Sequence, residues 1–297
     1  MTLVPIWVKF FSTMYKVAII TDSTACLTKE MLEQYDIRLV PTNILFNGRV
    51  YKEYVDISAS QAYQLLEKDP ERFATSAPSP EDFLQLYREL SKKAENILCI
   101  TISSKLSAIY PSAQAARENF REESPQTTIE LLDSWNCAAA EGFVVLAAAR
   151  AAAEGKGLAE AIGAAEAVKE KVNFLCLMDT IRYAYRSGRI PKVAAQIGSA
   201  LSVKPILGFS DGAITFIGIA RSKERGVERI LQMARRKIEG KPVHMAVMHA
   251  DAPEEAERLK KRVASEFNCV ELWISEFSPV MGYSTGRGLI GLSFYTD

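Results

Sequence analysis

Histidine is almost missing: His244 and His249 are the only two in 297 residues. Zinc sites and histidine-based acid–base chemistry have little to draw on. The five cysteines are an odd number, widely spaced and without a Cys-x-x-Cys pair, which excludes a regular disulfide framework and a thiolate metal cage. Cys99, inside Ile97-Leu98-Cys99-Ile100, reads as a buried thiol in a reducing cytoplasm. Net charge is absent too, with 36 Lys plus Arg against 36 Asp plus Glu. A domain built to neutralise phosphates carries a basic excess, so no nucleic-acid partner is expected. The long apolar run from Cys137 to Ala153 is broken by Glu141 and Arg150, and reads as a buried helix rather than a membrane span. Residues 1–15 have an apolar stretch with no basic segment before it and no small-residue cleavage site. They are expected to be a flexible extension or an over-long start rather than a signal peptide. No Gly-x-x-x-x-Gly-Lys-Ser/Thr run occurs, no Gly-x-Gly-x-x-Gly follows the first strand, and no Gly-x-Ser-x-Gly elbow is present. No cofactor is expected.

What is present is ordinary globular stock, 48% hydrophobic and 24% charged, in a chain long enough for two domains. Lys16 to Thr21 is a short, continuously apolar run of the kind a buried parallel strand shows. A helix follows over Thr28 to Tyr35. The same rhythm recurs with Ile97 to Ile102 before Ser107 to Phe120, and with Thr128 to Leu132 before Asn136 to Ala153, which predicts a parallel βαβ sheet. Between the first two units an insertion, about residues 44–80, has a strand over Arg38 to Phe46, an Asn47-Gly48 hairpin turn, a return over Val50 to Val55 and a helix over Ser58 to Glu67. It then reaches a loop at Thr75, before a helix over Glu81 to Lys92. Past Lys171 the pattern turns to α+β: strands over Asn173 to Met178, Val203 to Leu207, Ala213 to Ile219, Val243 to Met248 and Val270 to Ile274, with helices over Ser222 to Ile238 and Ala252 to Phe267. The expected division is an N-terminal α/β domain over 16–170 and a C-terminal α+β domain with a mixed sheet over 171–297.

Three hydroxyl-rich segments stand where strands or loops run into helices: Thr21-Asp22-Ser23-Thr24, Thr75-Ser76-Ala77-Pro78-Ser79-Pro80 and Thr101-Ile102-Ser103-Ser104-Lys105-Leu106-Ser107. Hydroxyls beside the free N–H groups of a helix start make a neutral cradle for an anionic head group. Ser107 is expected to cap the helix it opens, with Thr75 reaching the same place from the insertion. A carboxylate fits such a site. The rival is a hydrolase or transferase acting on a small acid through Ser107 or Ser104 as nucleophile, for which the chain offers few bases. A further alternative is a non-catalytic regulatory protein. Asp22 and Asp133 are candidates for helix caps.

These segments, in this order, together with Leu132-Asp133-Ser134, Gly188-Arg189-Ile190, Val203-Lys204-Pro205-Ile206-Leu207 and a Gly-rich end from Gly282 to Gly291, resemble the DegV family of bacterial fatty-acid-binding proteins. The resemblance runs from about Tyr15 to Phe294. It implies a cytoplasmic, two-domain α/β carrier without catalysis of its own, holding a long-chain fatty acid in a tunnel between the domains. By the family's pattern Thr75 and Ser107 hold the carboxylate and Arg189 lies near it. Ser103, Ser104 and Ser284 complete the expected head-group set. The implied partner is a separate fatty acid kinase that phosphorylates the bound carboxylate for phospholipid synthesis. The chain departs from the family at Ala108-Ile109, where Gly-Thr is usual, and at Ser284, where a histidine usually precedes Thr-Gly.

Overall fold

The computed structural model describes residues 15–190 and 203–297. All but the last residue of the expected N-terminal extension lies outside them. The first sheet is wholly parallel, in the order β2-β1-β6-β7. Its strands are β1 (Tyr15–Asp22), β2 (Arg38–Val40), β6 (Ala94–Thr101) and β7 (Thr128–Asp133). From Val17 onward every residue of β1 is buried, as its unbroken apolar run requires of a strand covered on both faces. Helices α3 (Pro80–Leu90) and α4 (Ile109–Glu123) pack together and on β6, as do α5 (Ala138–Ala153) and α6 (Leu158–Lys171) on β1 and β6. α5 is apolar on almost every side and is correspondingly buried. It also touches two strands of the second sheet.

The insertion departs from expectation at two places. The strand expected over Arg38 to Phe46 breaks at Pro41-Thr42, where proline has no N–H for a ladder. β2 ends there, and β3 (Asn43–Phe46) starts a separate antiparallel sheet in the order β4-β3-β5. Its partners are β4 (Arg49–Lys52) and β5 (Phe73–Ser76). Thr75 is therefore on a strand and not in a loop, paired directly across from Ile44. The pairing comes from β3, far off in sequence, which the short polar stretch itself does not announce. Short helices α1 (Lys29–Gln34) and α2 (Ala59–Lys68) complete the region.

The second sheet is mixed, in the order β10-β9-β8-β13-β11-β12. It is built from β8 (Asn173–Leu177), β9 (Lys204–Ser210), β10 (Ala213–Ala220), β11 (Val243–His249), β12 (Cys269–Glu276) and β13 (Ile290–Tyr295). Only β11 and β12 run parallel. Helices α8 (Lys223–Ile238) and α9 (Pro253–Glu266) pack on it, and the single turn α7 (Ala184–Ser187) follows β8. The Gly-rich end is regular structure: α10 (Pro279–Thr285) packs against α2 and β5, and β13 is a central strand between β8 and β11. Gly286-Arg287-Gly288-Leu289-Ile290-Gly291 has dinucleotide-fingerprint spacing but runs from helix into strand, the reverse of what such a site needs.

Polar bonds stitch the two halves together. Ser103 Oγ donates to the Gly212 carbonyl at 2.6 Å, and Lys105 Nζ to that of Asp211 at 2.6 Å. Ser275 Oγ donates to the Cys26 carbonyl at 2.9 Å, and Tyr63 Oη to that of Phe277 at 2.7 Å. Arg150 makes a two-pronged pair with Glu271, whose second partner is His244 Nδ1 at 2.7 Å.

Candidate functional site

A cavity enclosing about 900 Å³ of space, mouth included, lies between the first sheet's carboxyl edge, the insertion and the second sheet. The carboxyl edge of a parallel sheet is where open α/β sheets place ligands. Its lining includes the apolar side chains Phe174, Cys176, Leu207, Ile214, Ile190 and Cys137. It also includes Thr24, Thr42, Thr75, Ser107 and Ser284, with Arg189. Burial pushes the Cys137 and Cys176 thiols up from their ordinary range, so both stay neutral and belong to the apolar wall.

Of the residues expected at the head group, Thr75, Ser107, Arg189 and Ser284 all line this cavity. Ser103 and Ser104 do not. Ser103 is buried and its hydroxyl holds the β9–β10 turn, while exposed Ser104 offers its backbone N–H to the Asp133 carboxylate. Ser107 also departs from its expected role. α4 begins at Ile109 behind Ala108, and Ser107 Oγ instead closes a tight turn by accepting from Ile109 N at 3.3 Å. Its own proton has no acceptor among the described residues. The Thr75 and Ser284 hydroxyls have no hydrogen-bond partner among the described residues. Arg189, exposed at the mouth, gives Nη1 to the Ser187 carbonyl at 2.6 Å and Nε to that of Leu106 at 3.4 Å. Five N–H donors leave three for a ligand.

Behind this surface lies a buried acid network, of which the sequence pointed only to Asp22, as a possible helix cap. Asp22 does cap the short 3₁₀ turn Ser23–Ala25, through Thr24 N at 2.9 Å. It also accepts from Ile102 N at 3.0 Å and from Thr24 Oγ1 at 2.5 Å. Glu141, from the first turn of α5, reaches the same Thr24 hydroxyl at 3.2 Å. Glu53 receives Thr42 Oγ1 at 2.7 Å and Ser278 Oγ at 2.6 Å. Desolvation raises all three carboxyls above their ordinary range, Glu141 farthest, with the Asp22 charge adding to the effect. Glu141 was legible in one respect: a lone acid inside an alanine-rich apolar helix must be buried with a partner. Thr42 and Glu53 gave no local sign. Asp133 caps no helix; it accepts from Ser104 N and Trp135 N.

The histidines lie elsewhere. His249 Nδ1 accepts from Ala252 N at 3.2 Å, and His244 stacks on Tyr295 with ring centres 4.5 Å apart. No group of acidic, histidine or cysteine side chains among the described residues could hold a metal ion, and no described helix is long and apolar enough to cross a membrane.

The fold is α/β, with a parallel sheet, a mixed sheet and the small sheet of the insertion, and its cavity is lined by both apolar side chains and hydroxyls. The profile of the DegV family, described as uncharacterised proteins, matches residues 16–297, and the chain belongs to that family. It is 35% identical to a DegV domain-containing protein of Clostridium acetobutylicum, covering 95% of this chain and 98% of that one. A Thermus thermophilus DegV family protein described as binding fatty acid superposes with a TM-score of 0.87 at 27% identity, over 95% of this chain and all of the other. A Eubacterium ventriosum protein described as stearic acid-binding gives a TM-score of 0.84 at 26% identity, over 95% of this chain and 98% of the other.

Proposed function

We propose that this chain is a carrier without catalysis of its own, which holds one long-chain fatty acid in the cavity and presents its carboxylate to a separate fatty acid kinase. The observation that carries this reading is the mixed lining of the cavity. Hydroxyls at Thr75, Ser107 and Ser284 whose protons have no acceptor among the described residues, together with Arg189, share it with aliphatic and aromatic side chains. A carboxylate needs the first and a hydrocarbon tail the second. Burying a sixteen-carbon tail contributes roughly 10 kcal/mol before ordering costs, which favours an occupied cavity. The family relatives described as binding fatty acids point the same way. Arg189 and Ala108 are exposed, so the head-group end faces solvent, as hand-over to a second protein requires. Neither the Ser104 nor the Ser107 hydroxyl is hydrogen-bonded to a base among the described residues, which favours carriage over acyl transfer.

Solvent extraction of the purified protein followed by mass spectrometry is expected to give close to one equivalent of fatty acid per chain. Ser107→Ala and Thr75→Ala should each weaken rebinding by about 1–3 kcal/mol, the range for a hydrogen bond to a charged group, while leaving an alkane analogue unaffected. Lipid-free protein that takes up no fatty acid afterwards would end the carrier reading.

A further inference from the structure

The hairpin of β9 and β10 reaches past the sheet that carries it. β9 pairs with β8 through Leu177–Ile206, Cys176–Leu207 and Leu175–Gly208, and the ladder stops there. From Phe209 to Phe216 the two arms pair with each other and, among the described residues, with no third strand. No residue of β10 from Ala213 to Ile219 is fully buried, and a two-stranded ribbon by itself is only marginally stable in water. The base of the hairpin is anchored. Ile206 and Ile217 belong to the core beneath α8, and Arg229 Nη1 donates to the Ile219 carbonyl at 3.3 Å. Between Phe216 and Gly218 the ladder shifts register, a bulge of the kind at which a strand bends.

The tip of the hairpin covers the cavity. Ile214 lines it, and Phe209 stands edge-on to the lining Phe174 with ring centres 6.1 Å apart. The polar bonds that fasten the tip come from the loop after β6. Asp211 and Gly212 both have positive φ, 51° and 73°, the geometry of a two-residue hairpin turn whose twist matches its strands. Their carbonyls take no part in the ladder and are taken instead by the first domain. Ser103 Oγ donates to that of Gly212 at 2.6 Å, and Lys105 Nζ to that of Asp211 at 2.6 Å. Trp135 backs the turn, its Cγ standing 3.6 Å from where a Cβ on Gly212 would lie. Ser103 serves the head-group end as well. Its carbonyl accepts from Leu106 N at 2.9 Å and Ser107 N at 3.2 Å, so one residue shapes the turn that presents Ser107 and holds the hairpin shut.

Resting on the fatty-acid reading above, we infer that the tip of the β9–β10 hairpin is the door through which the acyl chain enters and leaves, bending at the bulge, with Ser103 and Lys105 as its clasp. The clasp bonds form within the protein and close the free and the loaded cavity alike, so they set the rate of exchange and leave affinity unchanged. The test is stopped-flow fluorescence with cis-parinaric acid. Uptake by delipidated protein gives the association rate, and transfer from loaded protein to excess albumin gives the dissociation rate. Ser103→Ala should raise both rates by about three- to tenfold, the size of one net hydrogen bond, with Kd held within about twofold. Lys105→Met, at an exposed position, should move both rates the same way. Ser104→Ala is the control: its side chain makes no bond to the hairpin, and both rates should stay at the parent's. Uptake no faster than the parent's in both clasp variants, whatever happens to release, overturns the inference and leaves fatty-acid carriage standing; if Ser103→Ala does not fold, Lys105→Met alone decides. Failure of the unmutated protein to take up cis-parinaric acid overturns the carrier reading and the door with it.

Discussion

At the residue scale, Glu141 shows how much a single buried group determines. It has no exposed surface, and no cation pairs with it among the described residues; its neighbours are the Thr24 hydroxyl and Asp22. Burial therefore keeps its carboxyl protonated well above the ordinary value of 4.5. The sign of the effect follows. Below about 4.5 the acid is neutral in folded and unfolded chains alike, and its burial costs nothing extra. As pH rises the unfolded chain loses this proton while the fold retains it, so stability falls, by about 1.4 kcal/mol for each unit of elevation passed. Glu141→Gln keeps an N–H donor toward Thr24 and does not titrate. Relative to the parent it should be near neutral at pH 4 and increasingly stabilising toward pH 8, as read by urea unfolding at the two pH values. A stability difference that ignores pH would show that Glu141 is ionised in the fold.

At the element scale, α10 forms part of the cavity wall although its sequence reads only as a Gly-rich tail. It carries Met281 and Ser284 to the cavity wall, and Gly282 lets it lie flat on α2. A Cβ at Gly282 would collide with Tyr63 Cε1 and come within 2.8 Å of its hydroxyl. The ring is fully buried and bonded to the Phe277 carbonyl, so it cannot swing aside without losing that bond. Gly282→Ala is expected to cost about 1–3 kcal/mol through overpacking and to weaken fatty-acid binding as α10 shifts. Gly163→Ala is the control. It lies on the exposed face of α6 with nothing within 4 Å of the added carbon, and should gain up to about 1 kcal/mol. Urea unfolding and a fatty-acid titration on both variants check this; a neutral Gly282→Ala would mean that α10 is not seated on Tyr63.

At the scale of the whole molecule, the cavity is lined from all three sheets or the turns at their ends, by Thr24 and Ser107, by Thr75, and by Phe174, Leu207 and Ile214. A ligand that binds only this assembled state stabilises it by mass action, by about 2.7 kcal/mol at a hundredfold excess over Kd. Delipidated protein should melt lower than protein reloaded with hexadecanoic acid in scanning calorimetry; coincident transitions would place the acid outside the fold. The sequence alone determined the parallel βαβ unit, because a strand buried on both faces is an apolar run and an exposed helix is periodic, and both are local signals. It also singled out Thr75 and Ser107, since hydroxyls clustered at element ends stand out in composition. Only the tertiary structure decided that Thr75 lies on a strand, that β13 runs through the middle of the second sheet, and that Ser103 and Ser104 do not line the cavity. Those facts depend on partners far off in the chain: β3 for Thr75, β8 and β11 for β13, and the Gly212 carbonyl for Ser103. The buried acid at Glu53 belongs with them, because its desolvation comes from what is packed around it and not from its neighbours in the chain.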